Sequence, residues 1–124
     1  MKKKDLVDIF SFLETDEQRV EMLIELGMDL KESTSSFSDK DIIKGCASFV
    51  ALKTKTNNNQ TISIDAKSDS LIVKGLLVVL KIFYFEEKKE SILDFLKQLK
   101  ISSILSAQRT NGLKSIIKRI ENHD

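Results

Sequence analysis

The stretch around which the chain is organised reads Asp41-Ile42-Ile43-Lys44-Gly45-Cys46-Ala47-Ser48-Phe49-Val50. Its Cys46 is the only cysteine among the 124 residues of the sequence. Gly45 lets the backbone turn sharply and approach a partner without a side chain in the way. Lys44 lies two residues before the cysteine, and a positive charge near a thiol favours the thiolate. The alternative interpretation is that Cys46 is a small buried hydrophobic residue, as free cysteines commonly are.

A β-hairpin is predicted to begin at the end of this stretch. Residues 48–56 read as its first strand and residues 57–60 as the turn, because asparagine tolerates the backbone angles of turns. Residues 61–66 alternate in polarity, which indicates a half-buried second strand. One side of that strand carries Ile62, Ile64 and Ala66, and the other carries Thr61, Ser63 and Asp65.

Helices are predicted on both sides of the hairpin from apolar residues spaced three and four apart. The first two stripes are Leu6, Ile9, Phe10 and Leu13, then Val20, Leu23, Ile24 and Met28. Thr15 and Gln18 form a capping box before the second helix, and Gly27 lies near its end. The last two stripes are Ile92, Leu93, Phe95, Leu96 and Leu99, then, in a helix that begins near Ser106, Leu113, Ile116, Ile117 and Ile120.

The most apolar predicted helix covers residues 70–85, and Ser68 or Asp69 is expected to cap it. Gly75 is unfavourable inside a helix, so we expect it to allow close contact with the sheet. Residues 31–41 are polar and rich in serine and read as a loop that leads to the cysteine. The sequence thus predicts one domain, residues 1–124, of the α+β class: a small antiparallel β-sheet packed against several α-helices.

The composition is that of a soluble globular protein, with 41% hydrophobic and 31% charged residues. The net charge of +1 argues against a nucleic-acid partner. No membrane span is expected, because Lys74 and Lys81 interrupt the longest apolar stretch, residues 71–85. A lone cysteine fits a reducing compartment, and no signal-peptide pattern follows the basic residues 1–5. We therefore expect a cytoplasmic protein.

Three blocks of the sequence carry a family resemblance. They read Gly45-Cys46-Ala47-Ser48-Phe49-Val50, Ser68-Asp69-Ser70-Leu71-Ile72-Val73-Lys74-Gly75-Leu76 and Leu105-Ser106-Ala107-Gln108-Arg109-Thr110-Asn111-Gly112-Leu113. In that order they resemble the Gly-Cys-x-Ser-x-Val, Ser-Asp-x-x-Ile-Val-x-Gly-Leu and Leu-Ser-x-x-Arg-x-x-Gly-Leu segments of the SufE family. A fourth, weaker match is Ile24-Glu25-Leu26-Gly27. Together the blocks cover nearly the whole chain.

The resemblance implies a sulfur acceptor of iron–sulfur cluster assembly. Cys46 would take sulfur as a persulfide from a SufS-type cysteine desulfurase, stimulating it, and pass the sulfur to a SufB-containing scaffold. The chain would bind no cofactor, because the pyridoxal phosphate that cleaves the carbon–sulfur bond belongs to the desulfurase. A monomer or a weak homodimer is expected. The family's sheet also implies a third strand, just before Cys46.

Further site residues follow from the same blocks. Those expected to bind the partner or support the thiol are Lys44, Gly45, Ser48, Asp69 and Arg109. Arg109 would attract a cysteine thiolate or contact the desulfurase, and Asp69 would cap its helix, face the partner, or both. We expect the resting cysteine to be partly sheltered beside the apolar residues 49–52, and residues 40–48 to open when the partner binds.

Three positions depart from the family pattern. Ala51 stands where the family commonly has an aromatic residue, Lys67 where many relatives have an acidic one, and Ala107 where proline is frequent. We expect these departures to affect partner specificity rather than the chemistry at Cys46.

Other functions for Cys46 meet specific obstacles. A cysteine hydrolase needs a histidine near the thiol, and the only histidine, His123, lies far away at the other end of the sequence. One cysteine and one distant histidine do not make a tetrahedral zinc site. The remaining alternative is a noncatalytic interaction module that regulates a desulfurase without carrying sulfur. Formation of a persulfide on Cys46 discriminates between that module and a sulfur carrier.

Overall fold

The computed structural model describes residues 1–30, 36–86 and 90–122. Within these ranges five helices accompany a two-stranded antiparallel sheet, which confirms the predicted α+β class. The elements are α1 (Lys3–Ser11), α2 (Asp16–Met28), β1 (Val50–Thr56), β2 (Ile62–Ser68), α3 (Leu71–Tyr84), α4 (Ile92–Gln98) and α5 (Ala107–Glu121). Single 3-10 turns occur at Asp39–Asp41 and Ser102–Ile104. Part of the predicted loop, residues 31–35, lies outside the described residues.

The hairpin has the predicted order, with shifted strand ends. β1 and β2 pair from Val50 opposite Ser68 to Thr56 opposite Ile62. Both strands therefore begin later than the sequence predicted, and β2 extends to Ser68. Thr61 belongs to the turn rather than to the polar face of β2, and its buried hydroxyl lies 2.6 Å from Asn59 Oδ1.

The third strand implied by the family is reduced to one bridge in the part of the chain that the structure describes. Ile42 pairs with Ala51, and the Ile43 N–H donates to the Val50 carbonyl over 2.8 Å. The bridge is bounded on one side by the 3-10 turn Asp39–Asp41 and on the other by Gly45, whose φ of +93° takes the backbone out of the extended region.

The buried centre of the fold is α3, as its apolar sequence predicts. Its most buried side chains are Leu76, Leu77, Val79, Leu80 and Phe83. Gly75 does allow another element to approach α3 closely, but that element is α2 and not the predicted sheet. A Cβ on Gly75 would lie 1.9 Å from the Leu23 carbonyl oxygen, so α2 and α3 pack backbone against backbone. The other side of α3 packs on β2.

Side-chain hydrogen bonds confirm the predicted cap of α2 and correct that of α3. The capping box of α2 is present, with the Gln18 N–H donating to Thr15 Oγ1 over 3.1 Å. The cap of α3 is Ser70, which accepts from the Val73 N–H, so neither Ser68 nor Asp69 caps that helix. Both residues contact the backbone of Phe49 instead.

Two side chains predicted to be buried are exposed. Met28 is 68% exposed and Leu93 is 46% exposed. Neighbouring helical residues point about 100° apart, so the face of α2 that carries Gly27 toward α3 turns Met28 outward. In the described ranges, no helix is both long and apolar enough to cross a membrane.

Candidate functional site

The cysteine lies in a short loop whose two ends are held by hydrogen bonds. We call residues 44–49 the cysteine loop. At its start, the bond from the Ile43 N–H to the Val50 carbonyl closes the loop onto β1. Inside it, the left-handed backbone of Gly45 reverses the chain direction immediately before Cys46.

The far end of the cysteine loop is held by two side chains from the junction between β2 and α3. The Phe49 N–H donates to Asp69 Oδ1 over 3.1 Å, and the Ser68 hydroxyl donates to the Phe49 carbonyl over 2.7 Å. Ser68 also accepts from the Ser70 N–H at 3.2 Å. Both backbone groups of Phe49 are therefore satisfied by side chains rather than by a neighbouring strand.

The Cys46 side chain is half-buried against α5. Its Sγ lies 3.5 Å from the Gly112 carbonyl oxygen, with the thiol as donor. Burial raises the pKa of the Cys46 thiol, because the charged thiolate loses solvation there. This direction is opposite to the one predicted from Lys44, whose side chain is exposed. In the resting structure, burial thus favours the protonated thiol over the thiolate.

A cavity of about 130 Å³ opens beside the sulfur. Its apolar lining comes from Val73 and Leu76 of α3 and from Leu113 and Ile116 of α5. The predicted apolar surroundings, residues 49–52, do not line it, because β1 packs into the core instead. Its polar lining comes from Ser48, Ser106, Gln108 and Arg109. The three sequence blocks around residues 45, 70 and 109 therefore converge on a single site. One wall of that site is apolar, and the other carries the cationic Arg109.

Arg109 belongs to this site by position. It lies in the first turn of α5, where its N–H donates to the capping hydroxyl of Ser106 over 3.2 Å. The side chain is exposed, and among the described residues it has no ion-pair partner. A cation is unfavourable at a helix N-terminus. Neither a buried contact nor the helix dipole therefore accounts for an arginine at this position.

The other predicted residues are distributed around the cavity. Ser48 lines it, while Gly45 and Asp69 shape and hold the cysteine loop without lining it. Lys44 is not brought to the cavity and instead lines a separate groove with Lys118. His123 lies outside the described residues. Within them, no group of three or more histidine, cysteine, aspartate or glutamate side chains is placed to hold a metal ion.

Sequence reasoning missed Gly112, although it lies in the third block. A Cβ at this position would come within 3.2 Å of Cys46 Sγ, so the thiol occupies the place of the missing side chain. The available signal was a glycine inside a predicted helix. That signal was used for Gly75 and applies equally here.

Two of the positions that depart from the family pattern lie directly opposite each other on the paired strands. Ala51 is buried and pairs directly with the exposed Lys67, so the two changes share one face of the sheet. Ala107 is exposed at the first position of α5, where proline is favoured because its N–H is not needed.

Comparison with known proteins assigns the family. The SufE model, described as an Fe-S metabolism associated domain, matches residues 4–123. An uncharacterized SufE-like protein of Rhizobium meliloti (strain 1021) is 35% identical over 94% of this chain and 89% of its own length. One from Rhizobium etli is 33% identical over 93% of this chain and 84% of its own. The cysteine desulfuration protein SufE of Wigglesworthia glossinidia brevipalpis is 31% identical, covering 98% of this chain and 88% of its own. The chain therefore belongs to the SufE family, whose role lies in iron–sulfur metabolism.

Proposed function

We propose that this chain accepts sulfur from a SufS-type cysteine desulfurase as a persulfide on Cys46, stimulates the desulfurase, and delivers the sulfur to a SufB-containing scaffold. The observation that carries the proposal is the position of Cys46. Its sulfur lies at the point where three separate sequence blocks form one cavity with an apolar wall and an exposed cation, Arg109. Membership of the family supports an association with a desulfurase.

The transfer is an exchange at sulfur. The Cys46 thiol first loses its proton, and the thiolate attacks the terminal sulfur of the donor's cysteine persulfide. A new sulfur–sulfur bond forms on Cys46 while the donor's bond breaks, and the donor cysteine leaves as a thiolate that takes up a proton. Electrons balance without an external oxidant or reductant. Release to the scaffold repeats the same exchange with a scaffold thiolate as the attacking group.

We propose that the cysteine loop moves before the thiolate attacks. The half-buried thiol donates to the Gly112 carbonyl, and burial raises its pKa, so both features of the resting state favour the thiol over the attacking thiolate. We propose that residues 40–48 open on the desulfurase and that Arg109, at the polar side of the cavity, favours the thiolate once Cys46 leaves its apolar surroundings. Shelter in the resting state protects the sulfur from over-oxidation.

The noncatalytic regulatory module is the competing function. Desulfurase turnover should be followed by alanine formation from cysteine while the chain is titrated in. We expect the chain to increase turnover and the Cys46→Ser variant, which keeps the fold, to abolish that increase, because a hydroxyl cannot hold a transferable sulfur. Equal stimulation by the serine variant would instead establish the noncatalytic module.

Three further elements belong to the proposal. The chain needs no cofactor of its own, since the sulfur is carried covalently on Cys46 and pyridoxal phosphate acts in the partner. A reducing cytoplasm suits a lone reactive cysteine. A monomer or weak homodimer leaves the cavity side of the molecule accessible to both partners. Sedimentation over a range of concentrations tests the last point directly.

A further inference from the structure

The cysteine loop lies across one face of α5, and it touches the helix where side chains are small. Gly112 and Ser115 are three residues apart and share that face. A Cβ on Gly112 would lie 3.2 Å from Cys46 Sγ, while its distances to the Cα and Cβ of Cys46 would be 3.5 and 3.6 Å. One turn later, a Cβ on Gly45 would lie 3.0 Å from Ser115 Oγ.

A side chain at position 112 would crowd the sulfur of Cys46 but not its Cα and Cβ atoms. A carbon 3.5–3.6 Å from the cysteine Cα and Cβ makes ordinary van der Waals contacts, whereas 3.2 Å to the larger sulfur atom is too close. The backbone of the loop would therefore tolerate a methyl group on α5, but the sulfur would have to shift away by a few tenths of an ångström. The hydrogen that Gly112 carries in place of a side chain admits the thiol to its resting position.

From this geometry we propose that Gly112 is a positioning residue that sets how much of the time Cys46 is sheltered. A side chain at this position shifts the cysteine loop toward the state in which the thiol is exposed. The consequence for sulfur transfer rests on the proposed function: a chain already biased toward exposure requires less of the desulfurase's binding free energy to open. The consequence for thiol access does not depend on sulfur transfer.

Alkylation of Cys46 by iodoacetamide, followed by intact mass near neutral pH, measures thiol access. Since the rate scales with the exposed fraction, Gly112→Ala should raise it by about threefold or more over the unmodified chain. Asn111→Ala is the matched control. It also introduces alanine, a better helix former, but at an exposed neighbouring position. It should leave the rate unchanged. In guanidinium all three chains should react equally.

A double-mutant cycle tests the steric cause separately. Alanine is the better helix former, so Gly112→Ala should raise the melting temperature wherever the sulfur is absent. We expect that increase in a Cys46→Ala background and a decrease in the presence of Cys46. Coupling of this kind is expected for two groups that lie in contact. A Gly112→Ala chain that folds only in the Cys46→Ala background gives the same answer.

Two results would overturn the inference. One is an alkylation rate for Gly112→Ala that equals or falls below that of Asn111→Ala. The other is a melting-temperature change, or a failure to fold, that is the same in both backgrounds. With a desulfurase, the inference predicts that Gly112→Ala lowers the chain concentration for half-maximal stimulation at an unchanged maximum. A chain that receives no sulfur at all would refute the proposed function, and the alkylation comparison would still decide the role of Gly112.

Discussion

The Phe49 backbone N–H donates a hydrogen bond to the Asp69 carboxylate, with 3.1 Å between nitrogen and oxygen. The two residues are 20 positions apart, and the bond joins the end of the cysteine loop to the residue immediately before the cap of α3. Asp69 therefore bonds to the end of the loop that carries Cys46 rather than to the start of the helix.

We predict that Asp69→Ala loosens the cysteine loop. Loss of the bond should cost about 1 kcal/mol of unfolding free energy and should speed hydrogen exchange of the Phe49 amide. Ser70→Ala is the control: it should cost about 1 kcal/mol as a lost cap but should not selectively speed exchange at Phe49. Asp69→Asn keeps an acceptor oxygen and should retain most protection. Unchanged exchange at Phe49 in Asp69→Ala would show that the bond does not hold the loop.

Arg109→Ala should weaken sulfur transfer while leaving the fold intact. The side chain is exposed and forms no ion pair within the described residues, so we expect unfolding free energy to change by less than about 0.5 kcal/mol. Lys114→Ala removes a neighbouring exposed cation of α5 and should leave transfer unchanged. Arg109→Lys should restore part of the activity if charge is what matters. An Arg109→Ala chain that melts many degrees lower, yet transfers sulfur normally when folded, would make the arginine structural.

The raised pKa of Cys46 predicts a specific dependence of stability on pH. Between the pKa of the unfolded chain and the higher pKa of the folded chain, the folded state keeps a proton that the unfolded state has lost. The free energy of unfolding should therefore fall as pH rises through that interval and should be unaffected by Cys46 at lower pH. Cys46→Ser lacks this titration, so the comparison is the difference between the two chains in denaturant melts. Parallel curves in alkaline solution would contradict the assignment.

Opening of the cysteine loop predicts a change in hydrogen exchange on partner binding. Residues 40–48 should exchange faster when a saturating desulfurase is present, because the bond from the Ile43 N–H to Val50 and the contact with α5 must break. The buried core of α3 serves as the internal reference, since its amides should keep their protection. Unchanged protection across residues 40–48 would mean that transfer occurs without opening.

The architecture was readable from the sequence because local patterns determine it. Strand alternation, helical stripes and the Thr15–Gln18 capping box each depend on residues close together in the chain. The errors arose where distant segments meet. Gly75 approaches α2 instead of the sheet, and Asp69 bonds to Phe49 instead of capping α3. Neither choice is visible in local spacing.

In the candidate site, too, the sequence predicted the residues of local motifs but not the contacts between distant segments. The motif blocks contain Cys46 and Arg109, and the structure places both at one cavity. The direction of the thiol pKa could not be obtained from sequence, because the nearby Lys44 suggested a lowered value while burial, a tertiary property, raises it. Gly112 was missed for a similar reason: its role depends on a contact with Cys46 across 66 residues of chain.

The central claim is that Cys46 carries the transferred sulfur. The most direct test is the intact mass of the chain after incubation with cysteine and a SufS-type desulfurase, with and without subsequent reduction. The account predicts a mass gain of one sulfur atom that a reductant removes and that Cys46→Ser lacks. A chain that stimulates the desulfurase without gaining mass, or a Cys46→Ser chain that gains the same mass, would contradict it.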